Sequence, residues 1–255
     1  MQKVTKNSFL IVVDTHAESF LESYKLYCMF THTAIIDHHR MTVDKIKTSD
    51  IFFHEPFASS TCEMVTELVQ YMDDKHLKKW EAECLLAGIM LDTKEFVLST
   101  GVRTFEAAAF LKGKGADTVA VKRLFSNSIE SNRKRSEIIS AAHIYRGCAI
   151  ACTAPGTENA RLLSAQAADE LLEVSGVKAS FVIFDSGNES ISISARSYGD
   201  MNVQIIMEYL GGGGHRTMAA AQLGGVNMQE AKSKLCEAID AKYPRADGEE
   251  QDSIS

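Results

Sequence analysis

Two short apolar runs, each ending on an aspartate, constrain this chain more than any other feature. Phe9–Val13 (FLIVV) is an unbroken apolar segment of strand length, the pattern of a strand buried in a parallel sheet, and Asp14 follows it directly. Ala34–Ile36 is a shorter run of the same kind, ending at Asp37-His38-His39. After them the period changes. Met64, Val65, Leu68, Val69 and Met72 follow helical spacing, and Ser60 with Glu63 forms a capping box at the start. A second helical stretch runs from about Lys75 to Leu91, with Leu77, Trp80, Cys84 and Leu85 on one stripe. Thr104 is placed to cap a third, carrying Phe105, Ala108, Ala109 and Leu111. Strands alternating with helices predict an α/β layer with a mainly parallel sheet, whose ligands bind at the carboxyl ends of the strands.

The second half has a different character. Residues 126–146 form a charged, helix-compatible segment read as a connector, and Arg133-Lys134-Arg135 within it reads as a solvated helix face. Beyond it, Ser180–Phe184 and Ser190–Arg196 alternate as strands around the turn-like Asp185-Ser186-Gly187-Asn188. Arg161–Glu173 and Gln229–Ala241 are helical in pattern. The expected organisation is therefore an α/β domain over 1–125, the connector, an α+β domain over 147–243, and a frayed acidic tail over 244–255. A length of 255 residues gives room for two such cores.

Charge and cysteine content exclude several classes. Against 34 acidic residues stand 27 basic ones, a net charge of −7, which argues against binding bulk nucleic acid through a basic surface. An anionic ligand is still accommodated if metal ions or backbone amides supply the positive field. The six cysteines show no CxxC and read as reduced core thiols. The longest apolar run, Cys84–Leu91, is far short of the roughly 20 residues of a membrane span. Lys3 and Lys6 lead into only five apolar residues, so no secretory leader is expected.

The residues with chemistry to offer cluster at the ends of these elements. Asp14, the Asp37-His38-His39 run and Asp92, at the end of the apolar CLLAGIML segment, supply carboxylates and imidazoles suited to an ion such as Mn²⁺. A single aspartate after a buried element is often only a turn residue, but two adjacent imidazoles behind a carboxylate are hard to explain by packing. Asp37 is placed to hydrogen-bond a ligand imidazole, and His16 reads as a hydrogen-bonding neighbour of Asp14. His32, His54, His76 and His143 have no partner at ligand spacing and read as packing or surface residues. Gly211-Gly212-Gly213-Gly214-His215 implies unusual dihedrals or a close approach, and successive free amides there would make an anion nest, with the Arg196 guanidinium upstream. Ser59 and Ser60, at a helix start, are candidate phosphate or ribose contacts, with capping an equal alternative for Ser60.

VVDTH (12–16), IIDHHR (35–40), EPFASSTCEMVTE (55–67), LLAGIMLDTKEF (85–96) and GGGGH (211–215) together resemble the DHH/DHHA1 phosphoesterases, over about residues 8 to 242. The wording of the motifs is most similar to the cyclic di-AMP phosphodiesterase subgroup. The resemblance implies an incomplete parallel-sheet DHH domain followed by a smaller α+β DHHA1 domain. It implies two Mn²⁺ ions, with Asp14 bridging them, His38 and Asp92 ligating the second, Asp37 supporting from behind, and His39 facing the scissile phosphate as the catalytic group. Substrate contacts would come from Ser59, Ser60, Arg196, Ser197, Gly211, Gly212, Gly213, Gly214 and His215. The implied partner is a cyclic dinucleotide, cleaved to its linear form, with no bulk nucleic acid, no membrane contact by this piece, and homodimer formation left open. The implied parent sits at the cell membrane, with these domains on its cytoplasmic face. The family's H-x-x-x-D-x-D motif, which supplies three further ligands, occurs nowhere in the 255 residues. The expectation is thus an amino-terminally truncated phosphodiesterase with impaired activity. A DHH-type oligoribonuclease, an adenosine bisphosphate phosphatase, and a non-catalytic nucleotide-binding module are the alternatives.

Overall fold

The computed structural model describes residue 5 and residues 7–72 and 76–244, in two compact units, Met1–Ser126 and Asn127–Ser255. Most of the expected tail, residues 245–255, and the expected helix start at Lys75 lie outside the described residues.

In the first unit, β1 (Phe9–Val13), β2 (His32–Asp37) and β3 (Ile51–His54) form a three-stranded sheet, with the short helix α1 (Tyr24–Tyr27) between β1 and β2. All pairs are parallel, in the order β1-β2-β3, and the register sets Val13 beside Ile36 and Asp37 beside His54. The residues that end the three strands therefore share one edge of the sheet. Central β2 is buried from Thr33 to Asp37. Contrary to the sequence reading, β1 is not buried on both faces. Leu10 and Val12 pack on Tyr27, Ile35 and Ile46, whereas Phe9, Ile11 and Val13 are about half exposed. The reason is packing: among the described residues a packed cluster forms only against its Leu10/Val12 face.

Helices α2 (Thr61–Gln70), α3 (Lys79–Asp92), α4 (Val102–Gly113) and α5 (Thr118–Leu124) complete the unit. α2 lays Met64 and Val65 on Ile36, Phe53 and Ala58. Ala82, Leu86 and Ile89 of α3 pack with Ala107, Leu111 and Val121. α3 comes so close to α2 that a Cβ on Gly88 would sit 2.2 Å from Cys62 Sγ. α4 starts earlier than its expected cap: Gly101 is the N-cap, and Thr104, three residues in, accepts the Gly101 N–H at 3.0 Å. The turn after α3 is strained, since Lys94, Glu95 and Phe96 all have φ between +48° and +68°, a run that L-residues rarely adopt.

The second unit contains α6 (Ile129–Ser140), β4 (His143–Tyr145), β5 (Cys148–Cys152), α7 (Ala160–Leu171), β6 (Ala179–Gly187), β7 (Ser190–Ser197), α8 (Val203–Tyr209), β8 (Gly213–Gly214), β9 (Met218–Gly224) and α9 (Met228–Lys242). The six strands run in the order β4-β5-β6-β7-β9-β8; β5 and β6 are parallel, joined through α7, and the other pairs antiparallel. The period of two is plain in β6: Phe181 and Ile183 face the core formed with α8 and α9, while Val182 faces the core formed with α6 and α7. Residues 126–146, read as a connector, comprise α6 and β4, and Ile138 is buried in the α6–α7 core. The hairpin turns later than expected. β6 continues through Asp185-Ser186-Gly187, and the two-residue loop is Asn188-Glu189, both with φ above +50° as a type I′ turn requires.

No helix among the described residues is long and apolar enough to cross a membrane.

Candidate active site

The carboxyl edge of the parallel sheet gathers the expected cluster. Asp14 leaves β1 in the left-handed region, φ +65°, with its N–H still donating to Ile36 O at 3.0 Å. This turn swings its carboxylate toward the start of α2, where Thr61 Oγ1 donates to Asp14 Oδ1 at 2.9 Å. Asp92 is the last residue of α3. His38 lies between them, with Nε2 3.7 Å from Asp14 Oδ1 and 3.8 Å from Asp92 Oδ2. Its Nδ1 is 3.2 Å from the Ala58 carbonyl, which only accepts, so Nδ1 carries a proton there and Nε2 faces the two carboxylates. His38 Nε2 thus lies within 4 Å of an oxygen on each carboxylate, donor types suited to a divalent cation. The residues fit a divalent ion. The ligand atoms of Asp14, His38 and His39 also lie within 4.8 Å of one another.

His39 is engaged differently. Its backbone N–H and Nδ1 both donate to Asp37 Oδ1, at 3.2 and 2.7 Å, which leaves Nε2 as the nitrogen able to meet a substrate. Asp37 is fully buried, and its other oxygen, Oδ2, accepts from His16 Nδ1. His16 is therefore a partner of Asp37, not of Asp14 as the sequence suggests, because the chain turns away at Asp14 and carries His16 under the end of β2. Burial works against the Asp37 carboxylate being charged, but the bonds from His39 and His16 outweigh it and hold the group well below the usual range. The bond to Asp37 raises the proton affinity of His39, against partial burial and with help from Asp14 and Asp92. Burial, with the nearby Asp14 charge, raises Asp92; His38 opposes this.

Three supporting residues escape sequence reasoning. His54 Nε2 donates to the His39 carbonyl at 2.6 Å, a role that follows only from the β2–β3 register. Thr42 and Thr61 hydrogen-bond His16 and Asp14. Of these, Thr61 alone had a local signal, the Ser59-Ser60-Thr61 polar run at a helix start.

The other expected contacts are placed as follows. Ser59 is buried, its hydroxyl donating to Glu63 Oε2 at 2.5 Å. Ser60 caps α2 by accepting the Glu63 N–H at 3.0 Å, so half of the capping box forms and the Glu63 carboxylate serves Ser59 instead. In the second unit, Arg196 Nε bonds Asp169 at 3.2 Å, and Ser197 Oγ donates to Met201 O at 2.6 Å. Gly211 and Gly212 close α8, their N–H groups donating to Glu208 O and Met207 O, and the His215 N–H donates to Met218 O. The run of free amides expected as an anion nest is thus largely spent inside the domain. Close packing explains the glycines: a Cβ on Gly212 would lie 2.2 Å from Ala220 O, and one on Gly214, φ +144°, 2.5 Å from Met218 O. Gly213 has open space around it, and His215 is exposed.

Residues 2–89 match the DHH family, N-terminal domain, and residues 149–242 match the DHHA1 domain. The chain belongs to the DHH/DHHA1 family. It is 48% identical over 241 residues to the cyclic-di-AMP phosphodiesterase GdpP of Geobacillus thermodenitrificans, covering 94% of this chain and 37% of that protein. Against the cyclic-di-AMP phosphodiesterase PdeA of Listeria monocytogenes it is 44% identical over 245 residues, 95% of this chain and 37% of that one. The chain thus spans little more than a third of these relatives. An exopolyphosphatase-related protein from Bacteroides fragilis shares the DHH/DHHA1 fold at a TM-score of 0.76 and 22% identity, covering 91% of this chain and 71% of that one.

Proposed function

We propose that this chain forms the phosphodiesterase core of a protein that hydrolyses cyclic di-AMP to the linear dinucleotide. One observation carries the reading: His38 Nε2 facing Asp14 and Asp92 at the carboxyl end of a parallel sheet, in a chain 48% identical to a relative named for that activity. Asp14, His38 and Asp92 would hold a divalent ion, Mn²⁺ by expectation. Such an ion, when bound, polarises phosphoryl oxygen and acidifies coordinated water, and a paired ion clamps both reacting oxygens. Thr61 keeps the Asp14 carboxylate aimed at His38. His39, anchored through Nδ1, offers Nε2–H to the scissile phosphate, where its raised proton affinity favours stabilising negative charge or protonating the leaving oxygen. In the DHHA1 unit, exposed His215 is the part of the glycine loop placed to meet substrate. Arg196, Ser197, Gly211, Gly212 and Gly214 shape that end of the sheet, as Ser59 and Ser60 shape the start of α2.

The test is product analysis with Mn²⁺ of cyclic di-AMP, its linear dinucleotide and adenosine 3′,5′-bisphosphate in parallel. Conversion of the cyclic compound supports the reading; turnover of the linear compounds alone, or binding without turnover, overturns it. The 255 residues supply three of the expected donors, so they should act more slowly than a protein that also carries H-x-x-x-D-x-D.

A further inference from the structure

His16 is 2% exposed, lies two residues beyond a proposed metal ligand, and is used by none of the steps above. Its ring is fixed on every polar atom. Nε2 takes the Thr42 N–H at 3.0 Å and lies 3.2 Å from Thr42 Oγ1. A backbone N–H only donates, so Nε2 is unprotonated and the ring proton is on Nδ1, where it is given to Asp37 Oδ2. Phe52 and His54 wall the ring edge-on, with centroids at 6.4 and 5.3 Å. The two carboxylate oxygens of Asp37 thereby acquire separate duties, Oδ2 to His16 and Oδ1 to His39. With Oδ2 pinned, the carboxylate cannot rotate about its own axis, and the direction of the Asp37–His39 bond is set.

We propose that His16 is a positioning residue for His39: held as its Nδ1–H tautomer by the Thr42 amide, it clamps the far oxygen of Asp37 and so orients the imidazole that meets the scissile phosphate. The inference rests on the reading of His39 given above. It makes Thr42, His16, Asp37 and His39 one relay of fixed orientation, and no proton needs to travel along it. Supports of this kind behind a functional imidazole are worth roughly 10–100-fold in activity.

The experiment compares the unaltered protein with His16→Asn, whose side-chain amide puts an N–H donor where Nδ1 stands, and with His16→Ala, which has none. Ring ¹⁵N spectra should report an Nδ1–H tautomer at His16. They should also show His39 ring resonances displaced in His16→Ala and restored in His16→Asn. With cyclic di-AMP and Mn²⁺, His16→Ala should lose roughly 10–100-fold in kcat with little change in KM, and His16→Asn should recover most of it. An Nε2–H tautomer at His16 overturns the proposal. So do equal kinetic losses in both variants with His39 resonances unmoved, the mark of a merely structural residue. If His16→Ala does not fold, the tautomer and the His16→Asn kinetics still decide. If the unaltered protein does not hydrolyse cyclic di-AMP, the functional reading fails and the spectra alone judge the positioning role.

Discussion

Gly212→Ala should destabilise the second unit at its glycine loop, whereas Gly213→Ala, one residue on, should be harmless. A Cβ on Gly212 would lie 2.2 Å from Ala220 O, 2.6 Å from Ala221 Cα and 2.7 Å from Ala221 Cβ, where 3.0 Å is the practical minimum. The obstacle is the backbone of β9, itself paired to β7 from Met218 to Gly224, so it cannot retreat by the required ~0.8 Å without breaking that ladder. Overpacking against rigid backbone costs about 2–3 kcal/mol, or roughly 8–12 °C in the melting temperature of a unit of this size. Nothing lies within 4 Å of a Cβ on Gly213, so Gly213→Ala should be neutral or gain up to about 1 kcal/mol through the unfolded chain. Urea or thermal melts followed by circular dichroism distinguish the two. Equal shifts, or an unaffected Gly212→Ala protein, would refute the assignment of these glycines to close packing.

Three other consequences are as direct. Glu189→Gly converts the β6–β7 loop to Asn-Gly, the preferred type I′ pair, and relieves φ +56°; it should raise stability by about 0.5–1 kcal/mol, and a lower melting temperature contradicts the turn assignment. Gly88→Ala should destabilise the α2–α3 contact by about 1–2 kcal/mol, with Cys62→Ala in the same chain restoring most of the loss. Additive effects in that cycle would mean the two residues do not touch. Burial pushes the Cys62 and Cys148 thiols up to about 11 and about 12, while Cys28 and Cys84 are exposed. Alkylation near neutral pH, read by mass spectrometry, should therefore modify Cys28 and Cys84 and spare the other two; rapid loss of Cys148 would contradict its burial.

Local patterns in the sequence reach the elements and the candidate metal donors but stop short of what holds them. FLIVV, the AII run and the helix ending at Asp92 are set by apolar period and strand length, and the motifs place Asp14, His38 and Asp92 at element ends. The partner of His16 is 21 residues away and the Asp37–His54 pairing depends on strand register, neither of which has a spacing signature. The half-exposed face of β1 follows from packing on its other face alone, which an apolar run does not reveal. The glycine run was legible as a backbone requirement; which requirement depended on the approach of β9.

The central claim is that Asp14, His38 and Asp92 form the metal centre of a cyclic di-AMP phosphodiesterase, and Asp92→Asn tests it most directly. Asp92 ends a helix whose packing does not use its carboxylate, so the variant should keep its fold. Mn²⁺ titration calorimetry and cyclic di-AMP hydrolysis, run on the same preparations, should show weaker ion binding and a loss of at least about 10–100-fold in turnover. Unaltered Mn²⁺ affinity and hydrolysis in Asp92→Asn would contradict the claim.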